Sequence, residues 1–165
     1  MKFVFVLVAM AFCHISFSQD IRKMKIGELN RFIDSVHSPL IVNFWASWCK
    51  PCVHEIPWFE KCVNEYKEKG IVLVLVSLDF GRDFPTGISN FAKQQGYTSR
   101  IIFLDEKNAD YFCPLIDKSW DGSIPVSLFV NSNKKYKRFY NQQLPEPQLR
   151  IAINELVEPA KITSN

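Results

Sequence analysis

"NFWASWCKPCVHEIPWFE" (residues 43–60) sets two cysteines, Cys49 and Cys52, two residues apart between a hydrophobic run and a segment of helical pattern. Upstream, residues 39–46 read PLIVNFWA, an almost unbroken apolar run of the kind that forms a strand covered on both faces. Downstream, residues 50–69 read as a helix that stops at Gly70. The pair therefore stands where a buried strand hands over to a helix. Two thiols at this spacing can bind a metal, lock a fold or exchange electrons, and the surrounding chain decides among these.

Before that stretch, residues 25–36 carry Ile26, Leu29, Phe32, Ile33 and Val36 at 3–4 spacing, which predicts an amphipathic helix. After it, IVLVLVSLD (residues 71–79) is a second buried strand rich in β-branched residues. A Gly/Pro loop (residues 81–87) leads to a helix over 88–95 closed by Gly96, then to a short strand at 100–105. NADYFCPLI predicts a helical turn broken by Pro114. PVSLFVNSNKKYKRFYN reads as two strands around Asn131-Ser132-Asn133, and EPQLRIAINELVE as a closing helix with Leu149, Ile153, Leu156 and Val157 on one face. Strands alternating with helices and ending in a hairpin predict a single α/β domain, a central mixed sheet with helices on both faces.

Composition narrows the function. Apolar content of 47% and charged content of 22% are those of a globular protein that builds its core unaided. The net charge of +3 is weak and scattered, which argues against nucleic acid as a partner. The cluster Lys134, Lys135, Lys137 and Arg138, interleaved with Tyr136 and Tyr140, reads as the polar face of an edge strand. At the N-terminus, Met1-Lys2 precedes FVFVLVAMAF and a small-x-small ending at Ser16-Phe17-Ser18, the pattern of a secretory signal peptide cut after Ser18. An uncut anchor is the alternative, and Phe12 argues against a lipid box at Cys13. Export removes Cys13 and leaves Cys49, Cys52, Cys62 and Cys113 in an oxidising compartment.

The position of the pair gives it chemistry. Unpaired N–H groups and the helix dipole at a helix N-terminus favour a thiolate. Cys49, at the edge of the first turn, is expected to be the exposed attacker. Cys52, one turn inward, is placed to attack the resulting mixed disulfide. Lys50 adds a neighbouring cation, and Pro51 suits the first turn, where its missing N–H costs little. Trp48 either shields the sulfurs or packs in the core. At 100° per residue, Glu55 lies about 60° from the axis of the buried stripe Ile56, Phe59, Val63 and Tyr66. A carboxylate at the core edge one turn beyond Cys52 would have a raised pKa and could carry protons for it; an exposed helix glutamate is the alternative. Pro57 is expected to kink this helix. His54 points to the wet side and is assigned no role. Zinc requires four ligands, and no second C-x-x-C or Cys/His pair accompanies this one, so no metal and no cofactor is expected.

With these residues in place, VNFWASWCKPCVHEIP resembles the active-site segment of the thioredoxin superfamily, in its exported TlpA/ResA-like branch. The resemblance runs from about Leu40 to Val157. It implies a thioredoxin-like fold and thiol–disulfide exchange with protein disulfides, as a reductant recharged by a membrane electron donor of the DsbD/CcdA kind. Asn43 stands where cytoplasmic thioredoxins carry a buried aspartate, so proton handling falls to Glu55. The resemblance also implies a cis peptide bond at Ile124-Pro125, facing the disulfide, with Ile124 offering backbone groups to an extended substrate. Trp120 either rims that groove or is buried. The stretch 105–123 is longer than the family's usual one and contains Cys113. Cys62 and Cys113 are expected as two separate buried thiols, with a second disulfide the alternative. A redoxin-type peroxide reductase shares this fold, but its cysteine follows Pro by seven residues and Thr or Ser by three, where this chain has Val42 and Ala46. A thioredoxin-like isomerase or binding module remains a further alternative.

Overall fold

The computed structural model describes residues 21–158, so the expected signal segment lies outside the described residues. The elements are β1 (Arg22–Met24), α1 (Ile26–Ser35), β2 (Leu40–Trp45), α2 (Lys50–Glu65), β3 (Val72–Ser77), α3 (Thr86–Gln95), β4 (Arg100–Leu104), α4 (Ala109–Ile116), β5 (Val126–Asn131), β6 (Tyr136–Tyr140) and α5 (Glu146–Val157). Six strands form one sheet in the order β1-β4-β3-β2-β5-β6. The first four in that order run parallel, while β5 is antiparallel to β2 and β6 to β5. This is the mixed sheet the sequence pattern predicts.

The apolar runs become the centre of the sheet because no other place covers both their faces. Every residue of β2 is buried. One face of the sheet packs on α2, α3 and α5, through Ile56, Phe59, Ile88, Ala92, Leu149 and Ile153. The opposite face packs on α1 and α4, through Leu29, Ile33, Phe112 and Ile116. Full burial of each Ile, Leu or Phe among these stabilises the fold by roughly 1.5–3 kcal/mol. Among the described residues, no helix is long and apolar enough to cross a membrane.

Several elements differ from the pattern-based expectation. β1 carries no sequence signal; its three residues, Arg-Lys-Met, gain strand form only by pairing with β4, where Arg22 lies opposite Ile102. Helix α2 ends at Glu65, and residues 67–69 form a separate 3-10 turn before Gly70, whose φ of 65° suits glycine. The helix includes Pro57, which is exposed and where a kink is expected. Pro114 does not break α4. The proline removes one backbone donor, while Asn108 caps the start by accepting from the Asp110 N–H and the Asp117 N–H closes the end on the Cys113 carbonyl. The β5–β6 connection is longer than a tight hairpin, with a 3-10 turn over Ser132–Lys134 and Lys135 at φ 53°. The Ile124–Pro125 bond is cis as the resemblance implies; Phe84–Pro85 is also cis.

Of the basic cluster, Lys137 and Arg138 fall on edge strand β6, while Lys134 and Lys135 lie in the turn before it and not on the strand. Lys137 and Arg138 are exposed there, Tyr136 and Tyr140 are half-buried, and Arg138 pairs with Glu155 at 3.3 Å. Cys62 belongs to the core beneath α2 and α5, and Cys113 to the core on the other face of the sheet. Both are free and buried. A disulfide needs α-carbons within about 7 Å, and the intervening sheet forbids that. Without prior reduction, both Cys62 and Cys113 should therefore alkylate fully in denaturant, leaving Cys49 and Cys52 protected; peptide mapping by mass spectrometry checks this.

Candidate active site

The end of β2 places the cysteine pair at the carboxyl edge of the sheet. Cys49 is the N-cap of α2, and its sulfur accepts the Cys52 backbone N–H at 3.3 Å. The two sulfurs are joined in a disulfide, with α-carbons 5.3 Å apart. Cys52 is fully buried and Cys49 is 5% exposed, so the outer sulfur is more covered than an exposed attacker would be. The order of access is nevertheless the expected one. The Ile124 carbonyl oxygen lies 3.8 Å from the Cys49 sulfur, at the mouth of the site. Lys50 and Pro51 are exposed beside it, Ile124 is half-buried and Pro125 buried.

Trp48 is exposed, which excludes the core-packing alternative. Trp120 takes the other course. It is buried against Phe44, Phe112 and Phe139, and its indole N–H donates to the Ser123 carbonyl at 2.8 Å. It supports the loop that leads into Ile124 and does not rim the groove. His54 is exposed and meets Trp58 edge-on.

Glu55 is buried outright. One carboxylate oxygen accepts from the Asn43 side-chain amide at 2.8 Å, and the other from the Leu144 backbone N–H at 2.9 Å. Loss of water raises its pKa to about 7, a shift that the hydrogen bonds from Leu144 and Asn43 partly oppose. Asn43 also donates to the Ser127 hydroxyl at 3.0 Å, across the β2–β5 register that sets these two residues opposite each other. The alternative of an exposed helix glutamate is thereby excluded. Burial also pushes the free thiols up, Cys113 to about 11, so neither is a ready nucleophile.

Three supports escaped the sequence reading. The Asp79 carboxylate accepts from the Ser47 backbone N–H at 2.9 Å, the Ser47 hydroxyl at 2.6 Å and the Ser77 hydroxyl at 2.7 Å, bracing the loop before Cys49. The Gln143 side chain donates to the Pro51 carbonyl at 2.9 Å and, with the Leu144 N–H, straps the first turns of α2. Ser127 steadies Asn43. Only Asp79, a lone acid closing an apolar strand, left a visible trace; Gln143, Leu144 and Ser127 lie more than 70 residues away from the motif they touch, beyond any local pattern.

Comparison with known proteins agrees with this geometry. The AhpC/TSA family model matches residues 16–143. The thiol-disulfide oxidoreductase ResA of Oceanobacillus iheyensis is 52% identical over 117 residues, covering 71% of this chain and 56% of that protein. The thioredoxin-like protein YneN of Bacillus subtilis is 36% identical over 87 residues, covering 52% of this chain and 50% of that protein. The chain thus spans about half the length of the curated relatives it matches. Among solved structures, a thioredoxin-related protein from Neisseria meningitidis serogroup B superposes with a TM-score of 0.63 at 25% identity, over 75% of this chain and 89% of that one. A strand-to-helix cysteine pair on a mixed sheet, matched over most of the chain, settles its kinship: it is a member of the AhpC/TSA family with a thioredoxin-like fold.

Proposed function

We propose that this chain is an exported thiol–disulfide oxidoreductase that reduces disulfides in other proteins through Cys49 and Cys52. The observation that carries this reading is the joined pair across the first turn of α2, with the Cys49 sulfur outermost and the Ile124 carbonyl beside it. In the dithiol form, the Cys49 thiolate attacks one sulfur of a substrate disulfide. The second substrate sulfur leaves as a thiolate and takes a proton. The Cys52 thiolate then attacks Cys49 in the mixed disulfide and expels the remaining substrate sulfur. Two electrons pass from enzyme to substrate, and the enzyme is left as the disulfide seen here.

The residues divide this work. The helix N-terminus and the Cys52 N–H stabilise the Cys49 thiolate, with Lys50 contributing a nearby cation. Glu55, one turn beyond Cys52, exchanges its proton near neutrality and serves Cys52 as acid and base. Trp48, Pro51 and Ile124 form the substrate surface, with the buried Pro125 beneath it, and Ile124 pairs with an extended chain in the manner of an added strand. Residues 1–18 act as the signal peptide and 19–165 as the working domain. Return to the dithiol form in an oxidising space requires a donor, and a membrane thiol–disulfide donor of the DsbD/CcdA kind fits that need.

Three outcomes test this. Cys49→Ser should abolish reduction of insulin disulfides, whereas Cys52→Ser should accumulate a mixed disulfide with substrate, seen on non-reducing gels; a Cys52→Ser protein that captures nothing, together with an inactive wild type, overturns the reading. The pH profile of Cys52 alkylation should show an inflection near 7 that Glu55→Gln removes. Stability supplies the third. Glu55 holds its proton more tightly in the fold than in the unfolded chain, so its contribution is complete below about pH 4.5 and is lost as pH rises through about 7. Unfolding free energies from urea titrations should fall by on the order of 3 kcal/mol between those limits, and Glu55→Gln should flatten the decline.

A further inference from the structure

The substrate surface extends beyond the residues next to the sulfurs. Trp48 and Phe80 are both more than half exposed, and their rings stack with centroids 6.2 Å apart and planes 27° apart. The Arg82 guanidinium lies over the Phe80 ring at 4.8 Å. Two large aromatics exposed together beside a reactive disulfide leave apolar surface in water unless a partner covers it. The stack is also held rigid from below. Ser47 immediately precedes Trp48, Asp79 immediately precedes Phe80, and the Asp79 carboxylate binds Ser47 through both its N–H and its hydroxyl. The Leu78 N–H donates to the Trp45 carbonyl at 2.8 Å, tying the same two strand ends together. A surface ordered in advance loses little entropy on binding.

Arg82 gives the platform a positive charge. Arg82 and Lys50 flank the platform, and neither has a carboxylate partner among the described residues. Asp79 is spent on its serines, and Asp83 lies against Gly87 at the start of α3. A second copy of this chain, docking with the two-fold axis through Arg82, would set that cation against itself. A segment with an apolar ring and a carboxylate meets both features.

We infer that the Trp48–Phe80–Arg82 platform selects the substrate: a disulfide-bearing polypeptide segment with an aromatic side chain and a carboxylate close to its cysteine. This rests on the oxidoreductase reading and names the class of disulfide that Cys49 attacks. The aromatic side chain packs on Trp48 and Phe80, the carboxylate pairs with Arg82, and the segment's cysteine is thereby held at the Cys49 sulfur for the exchange written above.

The test uses three symmetric peptide disulfides that differ only in the residues flanking the cysteine: Phe and Glu, Phe and Lys, or Ser and Glu. Each is mixed with the pre-reduced protein freed of small thiols, and released peptide thiol is followed in a single turnover. The Phe/Glu peptide should react about tenfold faster than either of the others. Phe80→Ala should bring the Phe-to-Ser rate ratio towards one, and Arg82→Glu should invert the Glu-to-Lys ratio. Ratios are taken within each variant, so partial loss of folding does not affect them, and the wild-type comparison needs no variant. Equal rates for all three peptides overturn the platform while leaving the oxidoreductase reading intact. So does a preference that survives both substitutions, or a wild-type dimer in sedimentation that Phe80→Ala dissolves. No reduction of any peptide or of insulin overturns the oxidoreductase reading, and this inference with it.

Discussion

A strand with no exposed residue cannot shift without dismantling the core on both its faces. β2 is such a strand, and it ends at the carboxyl edge of the sheet, where α2 begins. Cys49 is held at that junction as the cap of the helix, and Cys52 follows one turn later. The direction in which the pair faces, its access to solvent and its closeness to Ile124 all follow from this fixed point. Backbone donors collect there because the first turn of a helix has no internal acceptors for them. Placing sulfur at that spot uses donors that would otherwise need water.

The carboxylate behind the pair is the costly part of the arrangement. A buried Glu55 loses its hydration, and the Asn43 amide and the Leu144 N–H partly offset that loss. The result is a group whose charged and neutral forms lie close in energy near pH 7. A carboxylate with more donors would be held ionised, and one with none would be held neutral. Asn43 in place of an acid matters here, because a second carboxylate within hydrogen-bonding reach would drive the two pKa values apart.

Much of this was legible in the sequence. The period of the apolar residues separated β2 and β3 from α1 and α5, and their alternation implied a sheet covered on both faces. The spacing of Cys49 and Cys52 after a buried run, with Pro51 between them, located the strand-to-helix junction that carries the pair. The offset of Glu55 from the stripe of α2 pointed to the core edge, although it understated the burial. The errors were local rules applied where one lost hydrogen bond was affordable, as at Pro114, or elements that exist only through their partner, as β1 exists through β4.

What the sequence by itself determined is whatever depends on neighbours within about a turn or a strand: the helix that starts at the cysteine pair, the buried runs on either side of it, and the chemical character of Cys49-Lys50-Pro51-Cys52. Tertiary structure alone decided the contacts between segments far apart in the chain. Leu144 reaches Glu55, Gln143 reaches Pro51, Asp79 braces Ser47, and Phe80 comes to lie on Trp48. Periodicity records which face of an element is buried, and it holds no information about which distant residue that face will meet. That choice is made by the order in which the strands pair, and the order is a property of the folded sheet as a whole.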